Sequence, residues 1–596
     1  MRRALPVALL PAAASVLGLL VVLVVGGGLG ARVAQGLPDP GAVTRWGLPL
    51  ARLAVDASGL MTVGALVVAT ILVPRDGSRH AVTAAVRAAA GWAGLLALSA
   101  TAAALLTVAD VTGIPLQRLE VGQAVTAAWA LPGARAHLLV AGLAVVVLGW
   151  LTVGRRRWHD AMALAVAVIA LTPPLYAGHA AHAGEHEVAT GSLVVHVVAA
   201  SLWVGTLAAL VLHLRGDRAV RVAATSRFST LAMACFGVLA ASGALSAVAR
   251  LGTSRASWLS TYGAVLAVKI VAVVVLGVLG WAHRRWTLDL LRRGRPGAFT
   301  RLATIELLIM GATVGVAVAL SRTPGPVDQA NLERLGRTAG PGLVEPFSVA
   351  QLAHDWRPEP VLTTLVVLAL VAYLSAAHRR RAAGTPWPWS RTVAAAGAAT
   401  VTVVTLGLPT GYDDRPLLAV QVAQSLVLAL VVPPLVALAR PMRLPGTDPW
   451  GGARPAARLL EPFTGFAVLV GTLALILQPP VRQSEATSAP IHLAVLAAAL
   501  IAGAWFTCGL LAPRAPSRQR TEVLAACAVF LVALGVVLAA TPGPGAATAA
   551  AAAQLAHEQR AASLVAWCAA AAVLTAAGVL FRHAGRGPVS GPATTA

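Results

Sequence analysis

Long uninterrupted stretches of apolar residues recur along the whole chain, separated by shorter polar segments. Most are about 17 to 26 residues long, and about 20 helical residues cross a hydrocarbon core of roughly 30 Å. Backbone polar groups must be satisfied internally within a bilayer, so each stretch predicts a membrane-spanning helix. The pattern predicts an all-α polytopic membrane helical bundle of about sixteen helices, over approximately residues 6–30, 54–73, 88–109, 137–153, 160–178, 189–212, 228–249, 262–282, 302–320, 360–377, 392–408, 416–438, 463–478, 491–511, 522–541 and 561–581.

The composition agrees with this pattern. Of the 596 residues, 58% are hydrophobic and 12% are charged, whereas soluble domains have roughly 25% charged residues. The formal net charge of +23 would suggest a nucleic-acid partner for a soluble protein. Here the charge is almost all arginine and lies between apolar stretches, which is typical of cytoplasmic loops. We therefore predict the lipid bilayer as the surroundings and no nucleic-acid partner.

The distribution of arginine also predicts the orientation of the chain. When alternate connections are grouped, 31 of the 46 basic residues lie on one side and 14 on the other, with Lys269 inside an apolar stretch. The richer side is expected to be cytoplasmic, which places both termini there. The first apolar stretch is longer than the apolar region of most cleaved signal peptides, so we interpret it as a signal anchor.

The longest connection covers residues 322–359 and is rich in proline, glycine and charge. Nine predicted helices precede it and seven follow it. We predict a nine-helix domain over residues 1–325, an extracytoplasmic linker over 326–358, and a seven-helix domain with a cytoplasmic tail over 359–596.

Histidines are the residues that most clearly suggest chemistry, and the densest group lies in residues 178–187, on the predicted outer side. His179, His182 and His186 are spaced three and four residues apart and could converge if the segment is helical. Imidazole binds copper, zinc, iron and nickel well, and Glu185 could add an oxygen ligand. The alternative interpretation is a solvated polar loop.

His196 lies about two turns inside the next predicted helix. Ionisable groups within a membrane usually have a function, so we predict it as a fourth metal ligand; the alternative is a histidine that serves helix packing. His137 and His492 each begin an apolar stretch on the outer side and are possible additional metal ligands.

Two charged residues fall inside predicted membrane helices. Lys269 in the eighth helix could neutralise Glu306 in the ninth, so we predict a buried charge pair between them. A further group of histidines flanks arginines on the inner side, and we expect them to be interfacial loop residues: His80, His159, His213, His283, His378 and His583.

The first domain resembles a known family. Residues 195–205, with His196, Trp203 and Gly205, resemble the His-x-x-x-x-x-x-Trp-x-Gly helix of the copper resistance protein D (CopD) family. Tyr262-Gly263 leading to Lys269, and residues 301–324 with Glu306, are similar to later helices of that family. The resemblance covers roughly residues 35–325. It implies copper handling at the extracytoplasmic face and uptake across the membrane, with His196 as a site residue.

The second domain, about residues 345–585, resembles the CtaG-type cytochrome c oxidase assembly factors, seven-helix proteins associated with copper delivery to the oxidase. Matching features are Tyr412, Pro433-Pro434-Leu435, Pro441 and Glu558-Gln559. The histidines of the family's His-Met-x-x-His helix fall on Gln421 and Ser425. His492 is kept, but its partner four residues later is Leu496. The resemblance therefore implies the fold and not an intact copper site.

These observations predict a multi-pass protein of a bacterial plasma membrane that imports or delivers copper ions and supports cytochrome c oxidase assembly. Its expected partners are copper ions, the oxidase or a periplasmic copper chaperone. No P-loop or nucleophile elbow occurs in a credible context, so we predict that the chain is not an enzyme. Two alternatives are a scaffold for oxidase assembly without metal, and a b-type haem oxidoreductase, which would need two buried axial histidines.

Overall fold

The computed structural model divides the chain into two compact units, Met1–Leu335 and Gly336–Ala596. The division falls within the segment 326–358 that the sequence predicts to be a linker. The residues that the structure describes are 4–26, 39–74, 79–153, 157–177, 186–214, 218–252, 254–287, 296–323, 352–353, 356–409, 411–412, 415–441, 461–512, 516–540 and 549–585.

All of the regular secondary structure in the described residues of the first unit is helical. Three of its helices include a π turn, at Val68–Leu72, Ser201–Gly205 and His283–Thr287. In chain order the helices are α1 (Ala4–Val25), α2 (Gly41–Leu72), α3 (Arg79–Thr112), α4 (Val121–Ala130), α5 (Pro132–Val153), α6 (Arg157–Ala170), α7 (Pro173–Tyr176), α8 (186–213), α9 (Arg218–Leu251), α10 (Arg255–Trp258), α11 (261–287) and α12 (Pro296–Leu320).

The second unit is also helical, with one small hairpin. Two-residue strands, β1 (Gly411–Tyr412) and β2 (Arg415–Pro416), pair antiparallel. The helices are α13 (Pro360–Ala382), α14 (Trp389–Leu406), α15 (Leu418–Ala439, with a π turn at Val427–Val431), α16 (Pro462–Ile476), α17 (Pro479–Thr487), α18 (Ala489–Leu510), α19 (Ser517–Ala540) and α20 (Ala549–Gly585).

Thirteen helices within the described residues are long and apolar enough to cross a membrane. The number is fourteen if Pro462–Ile476 and Pro479–Glu485, which meet at a bend of 71°, form one span. The remaining two predicted spans coincide with α1 and α14. The all-α polytopic membrane architecture is thus confirmed, and the count of sixteen stays a prediction.

Two helices of nine and ten residues were not expected from the sequence. The ten residues of α4 expose Val121, Val125 and Trp129, and ten residues are too few to cross a bilayer. An apolar exposed face on a short helix at the end of a bundle suits the membrane interface. The other short helix, α17, follows the bend after α16 and carries Glu485 into the core of the second unit.

Close helix pairs in the first unit depend on glycine. Where α1 packs on α12, a Cβ at Gly18 would lie 2.6 Å from the carbonyl oxygen of Ala312, and one at Gly315 would meet the backbone of Ser15. Where α2 crosses the π turn of α8, a Cβ on Gly205 would meet the carbonyl of Leu60. Small residues permit such close backbone approach in membrane helices. The second crossing fixes the position of α8, the helix that carries His196.

Candidate functional site

The histidine-rich segment before α8 lies mostly outside the described residues. His179, His182 and Glu185 belong to that part of the chain, so their predicted role as metal ligands stays a prediction. His186 is the first residue of α8. This places the fourth residue of the predicted ligand set, His196, almost three turns further along the same helix.

His196 is half-buried on the side of α8 that faces α9. Its Nδ1 lies 3.3 Å from the hydroxyl oxygen of Ser242, and its ring also lies near the carbonyl of Leu239. A Cβ at Gly243 would already touch the ring, 3.4 Å from Cε1. The small pair Ser242-Gly243 therefore provides both the space for the imidazole and a polar partner that orients it.

The charge of Lys269 on α11 acts on His196, and the charge of Arg250 at the end of α9 acts on Lys269. Three helices thus contribute one imidazole and two basic side chains to the same region. A cation held by His196 would be repelled by the charge of Lys269, which disfavours permanent binding there.

The predicted charge pair between Lys269 and Glu306 is not formed. Glu306 on α12 instead faces His283, with 3.7 Å between Oε2 and Nε2. His283 lies about four helical turns beyond Lys269 along α11, so the two side chains cannot both lie at the level of Glu306 on α12. His283, expected to be an interfacial loop residue, is in fact the first residue of the π turn that ends α11.

His137 is buried near the start of α5. Its Nδ1 lies 2.8 Å from the carbonyl oxygen of Gly133 in the preceding turn, so Nδ1–H donates to this carbonyl and the lone pair remains on Nε2. The charge of Arg52 on α2 acts on this ring. His137 is therefore a capable single ligand whose surroundings, like those of His196, are basic.

The second unit gathers buried polar side chains where the resembling family has its histidines. Gln421 and Ser425 are both buried, and the amide nitrogen of Gln421 donates to the carbonyl of Arg482 at 3.3 Å. Leu496 belongs to the apolar core. His492 is engaged by Glu485, with 3.2 Å between Nδ1 and Oε1. Gln421 is thus held by a backbone carbonyl of a neighbouring helix, and Ser425 is enclosed in the core.

Glu359 completes this polar group from the start of α13. Its carboxylate accepts from the backbone N–H groups of Val361 at 2.8 Å and Leu362 at 2.6 Å, as an N-cap does. Burial raises the pKa of the Glu359 carboxyl, and the two backbone hydrogen bonds act in the opposite direction. His492 also acts on Glu359 electrostatically, which ties α13 to α18.

Within the described ranges, no three His, Cys, Asp or Glu side chains come close enough together to hold a metal ion. His196 and His137 are therefore available as individual ligands. The other ligands of a metal ion at either residue would have to come from outside the described residues or from other side-chain types. Sequence reasoning missed Ser242, Gly243 and Glu485, because their roles depend on which helices are neighbours. The one available signal was the Ser-Gly pair within an otherwise apolar stretch.

Comparison with known families and proteins gives two separate matches along the chain. Residues 222–320 match the family described as Copper resistance protein D (CopD). This range includes α11 and α12 and most of α9, and it begins after His196. Residues 371–586 match the family described as Cytochrome c oxidase caa3 assembly factor (Caa3_CtaG).

One curated relative is the protein named "Copper transport protein CutJ" of Bacillus subtilis (strain 168), which is 31% identical over 160 residues. The matched region is 26% of this chain and 29% of the length of that relative. No solved structure matches the chain. The two family matches, on either side of the division between the compact units, identify the chain as a multi-pass membrane protein that fuses a CopD-like segment to a CtaG-like segment.

Proposed function

We propose that the chain handles copper in a bacterial plasma membrane, and that its first unit imports or delivers the ion. The observation that carries this proposal is the position of His196, an imidazole oriented by Ser242 inside a unit whose later helices match the CopD family. Imidazole is a good ligand for copper. The similar Bacillus protein is named a copper transport protein, which supports copper as the ion that the first unit moves.

The basic neighbours of His196 support transport rather than storage. An ion that must pass through a membrane needs a site that binds well enough for entry and weakly enough for exit. Lys269 supplies repulsion that shortens the stay of a cation at His196. In this proposal the outer segment with His179, His182 and His186 captures copper, and His196 is a transit ligand.

For the second unit we propose a role in cytochrome c oxidase assembly without a copper site of its own. This rests on Gln421, Ser425 and Leu496, which are poor copper ligands at the three positions where the resembling family has histidine. The one histidine that remains, His492, is already engaged by Glu485. In this unit, contacts with the oxidase or with a periplasmic copper chaperone replace metal binding. The whole chain then has no catalytic step.

His196→Ala is expected to weaken copper binding by the purified full-length protein by roughly 10- to 100-fold, the loss typical when a metal site is deprived of an ordering or ligating group. The measurement is a competition titration with a copper chelator, together with the metal content after purification. His80→Ala is the matched control, because His80 is exposed on α3. His492→Gln is expected to leave the copper content unchanged.

Equal copper affinities for the wild type and His196→Ala would contradict the assignment of His196. A loss of copper in His492→Gln as large as in His196→Ala would contradict the division of labour between the units. The absorption spectrum of the same sample distinguishes copper handling from the alternative of a b-type haem oxidoreductase, since a Soret band would indicate a bound haem.

A further inference from the structure

His283 and Glu306 face each other in the half of the first unit that the arginine distribution predicts to be cytoplasmic. Their side chains are 13% and 4% exposed, and Nε2 lies 3.7 Å from Oε2. This distance is too long for a hydrogen bond. Within the described residues, Nε2 of His283 and Oε1 of Glu306 are buried without any hydrogen-bond partner. Phe299 packs against the imidazole ring, with 5.2 Å between ring centroids.

The helices around this pair offer little to compensate a charge. Neither α1 nor residues 57–72 of α2 contains a titratable side chain. Several charged or titratable residues near this end of the unit are engaged elsewhere: Arg227 donates to the carbonyls of Ile71 and Leu72, His213 accepts from Trp92, Arg284 contacts the sulfur of Met233, and Arg285 lies over Trp281. Among the described residues of the helices that pack here, the others are Cys235, buried in the apolar core, and the exposed Arg221 and Arg301.

The number of protons on the pair decides its net charge. With no proton beyond the N–H of the neutral imidazole, the pair carries one negative charge. With one added proton it is neutral, as a carboxylic acid beside a neutral imidazole, because the alternative carboxylate and imidazolium would place two charges in the interior without a hydrogen bond between them. With two it carries one positive charge. Because an uncompensated charge in a low-dielectric interior costs several kcal/mol, the state with one added proton is the stable one.

We propose that His283 and Glu306 form a proton-binding site, and that the first unit exchanges this proton for the cation that it moves. The second half of this inference rests on the proposed copper function. Release of the proton leaves one negative charge at the pair, which attracts an approaching cation. Exchange of one proton for one monovalent copper ion moves no net charge, so the step can occur at any membrane potential.

Infrared spectroscopy of the metal-free, full-length protein tests the site itself. We expect a carboxylic acid C=O stretching band at neutral pH that shifts in heavy water and is absent in the isosteric variant Glu306→Gln. The matched control is Glu522→Gln, because Glu522 is a partly exposed carboxylate paired with Arg518. His283→Gln is expected to keep the band and to shift its frequency, since the neighbour of the acid has changed.

A wild-type spectrum without this band, or a band that persists in Glu306→Gln, would overturn the proton site. A band that His283→Gln leaves unshifted would overturn the pairing. The exchange is tested separately in proteoliposomes with a pH-sensitive dye, where copper entry into wild-type vesicles is expected to drive proton movement in the opposite direction. Copper entry without proton movement would overturn the exchange alone, and an absence of copper entry would count against the proposed function instead.

Discussion

Gly205→Ala is expected to destabilise the first unit by about 1–3 kcal/mol or more, because one methyl group must fit where two helix backbones touch. The added Cβ would meet the carbonyl of Leu60 on α2, and in the reverse direction a Cβ on Gly64 would meet the backbone of Gly205. Backbone atoms cannot rotate away as a flexible side chain can. The helices α2 and α8 would therefore have to separate, and the contacts of Trp203 in the same π turn would loosen.

Gly91→Ala is the matched control for this prediction. Gly91 is an exposed residue within α3, and a Cβ there has no atom within 4 Å. The same chemical change should then be neutral or slightly stabilising, by about 0.5–1 kcal/mol, since alanine is the better helix former. Thermal unfolding of both variants in the same detergent compares them directly. Similar midpoints for the two variants would show that α2 and α8 do not pack as closely as described.

His492→Leu is expected to destabilise the second unit by roughly 3–5 kcal/mol, the usual cost of removing one member of a buried ion pair. The change would leave Glu485 buried, with 3% of its side chain exposed, and without its imidazole partner. The double variant Glu485→Leu/His492→Leu removes both groups and replaces them with apolar volume. It should therefore cost clearly less than the sum of the two single changes.

Chemical unfolding of the wild type, the two single variants and the double variant completes this cycle. The single variant Glu485→Leu is expected to cost less than His492→Leu, because a histidine can remain neutral when its acidic partner is lost. Additive effects in the cycle would mean that the two side chains stabilise the unit independently, in conflict with their 3.2 Å contact.

The sequence was sufficient to predict the helical membrane architecture, because the thickness of a bilayer imposes a minimum length on each apolar stretch. Each of the sixteen stretches coincides with a helix of the structure. The short helices α4 and α17 were not predicted, since neither their length nor their composition is that of a complete span. The bend between α16 and α17 depends on local backbone geometry at Gln478 and the two prolines that follow it.

The site was harder to predict than the fold. Placing His196 in a helix required only the apolar pattern, but its contact with Ser242 required knowing that α8 lies against α9. The partner of Glu306 depended on the register between α11 and α12, and the predicted partner Lys269 lies about four helical turns from the observed one, His283. For Gln421 and Ser425, residue chemistry alone was enough to argue against a copper site, and their burial agrees with that argument.

The uptake of copper by proteoliposomes that contain the purified full-length protein tests the central proposal most directly. The account predicts that the wild type admits copper faster than protein-free vesicles, that His196→Ala slows this entry at least about tenfold, in line with its weaker binding, and that His492→Gln does not. Entry into wild-type vesicles at the rate of protein-free vesicles would contradict the account.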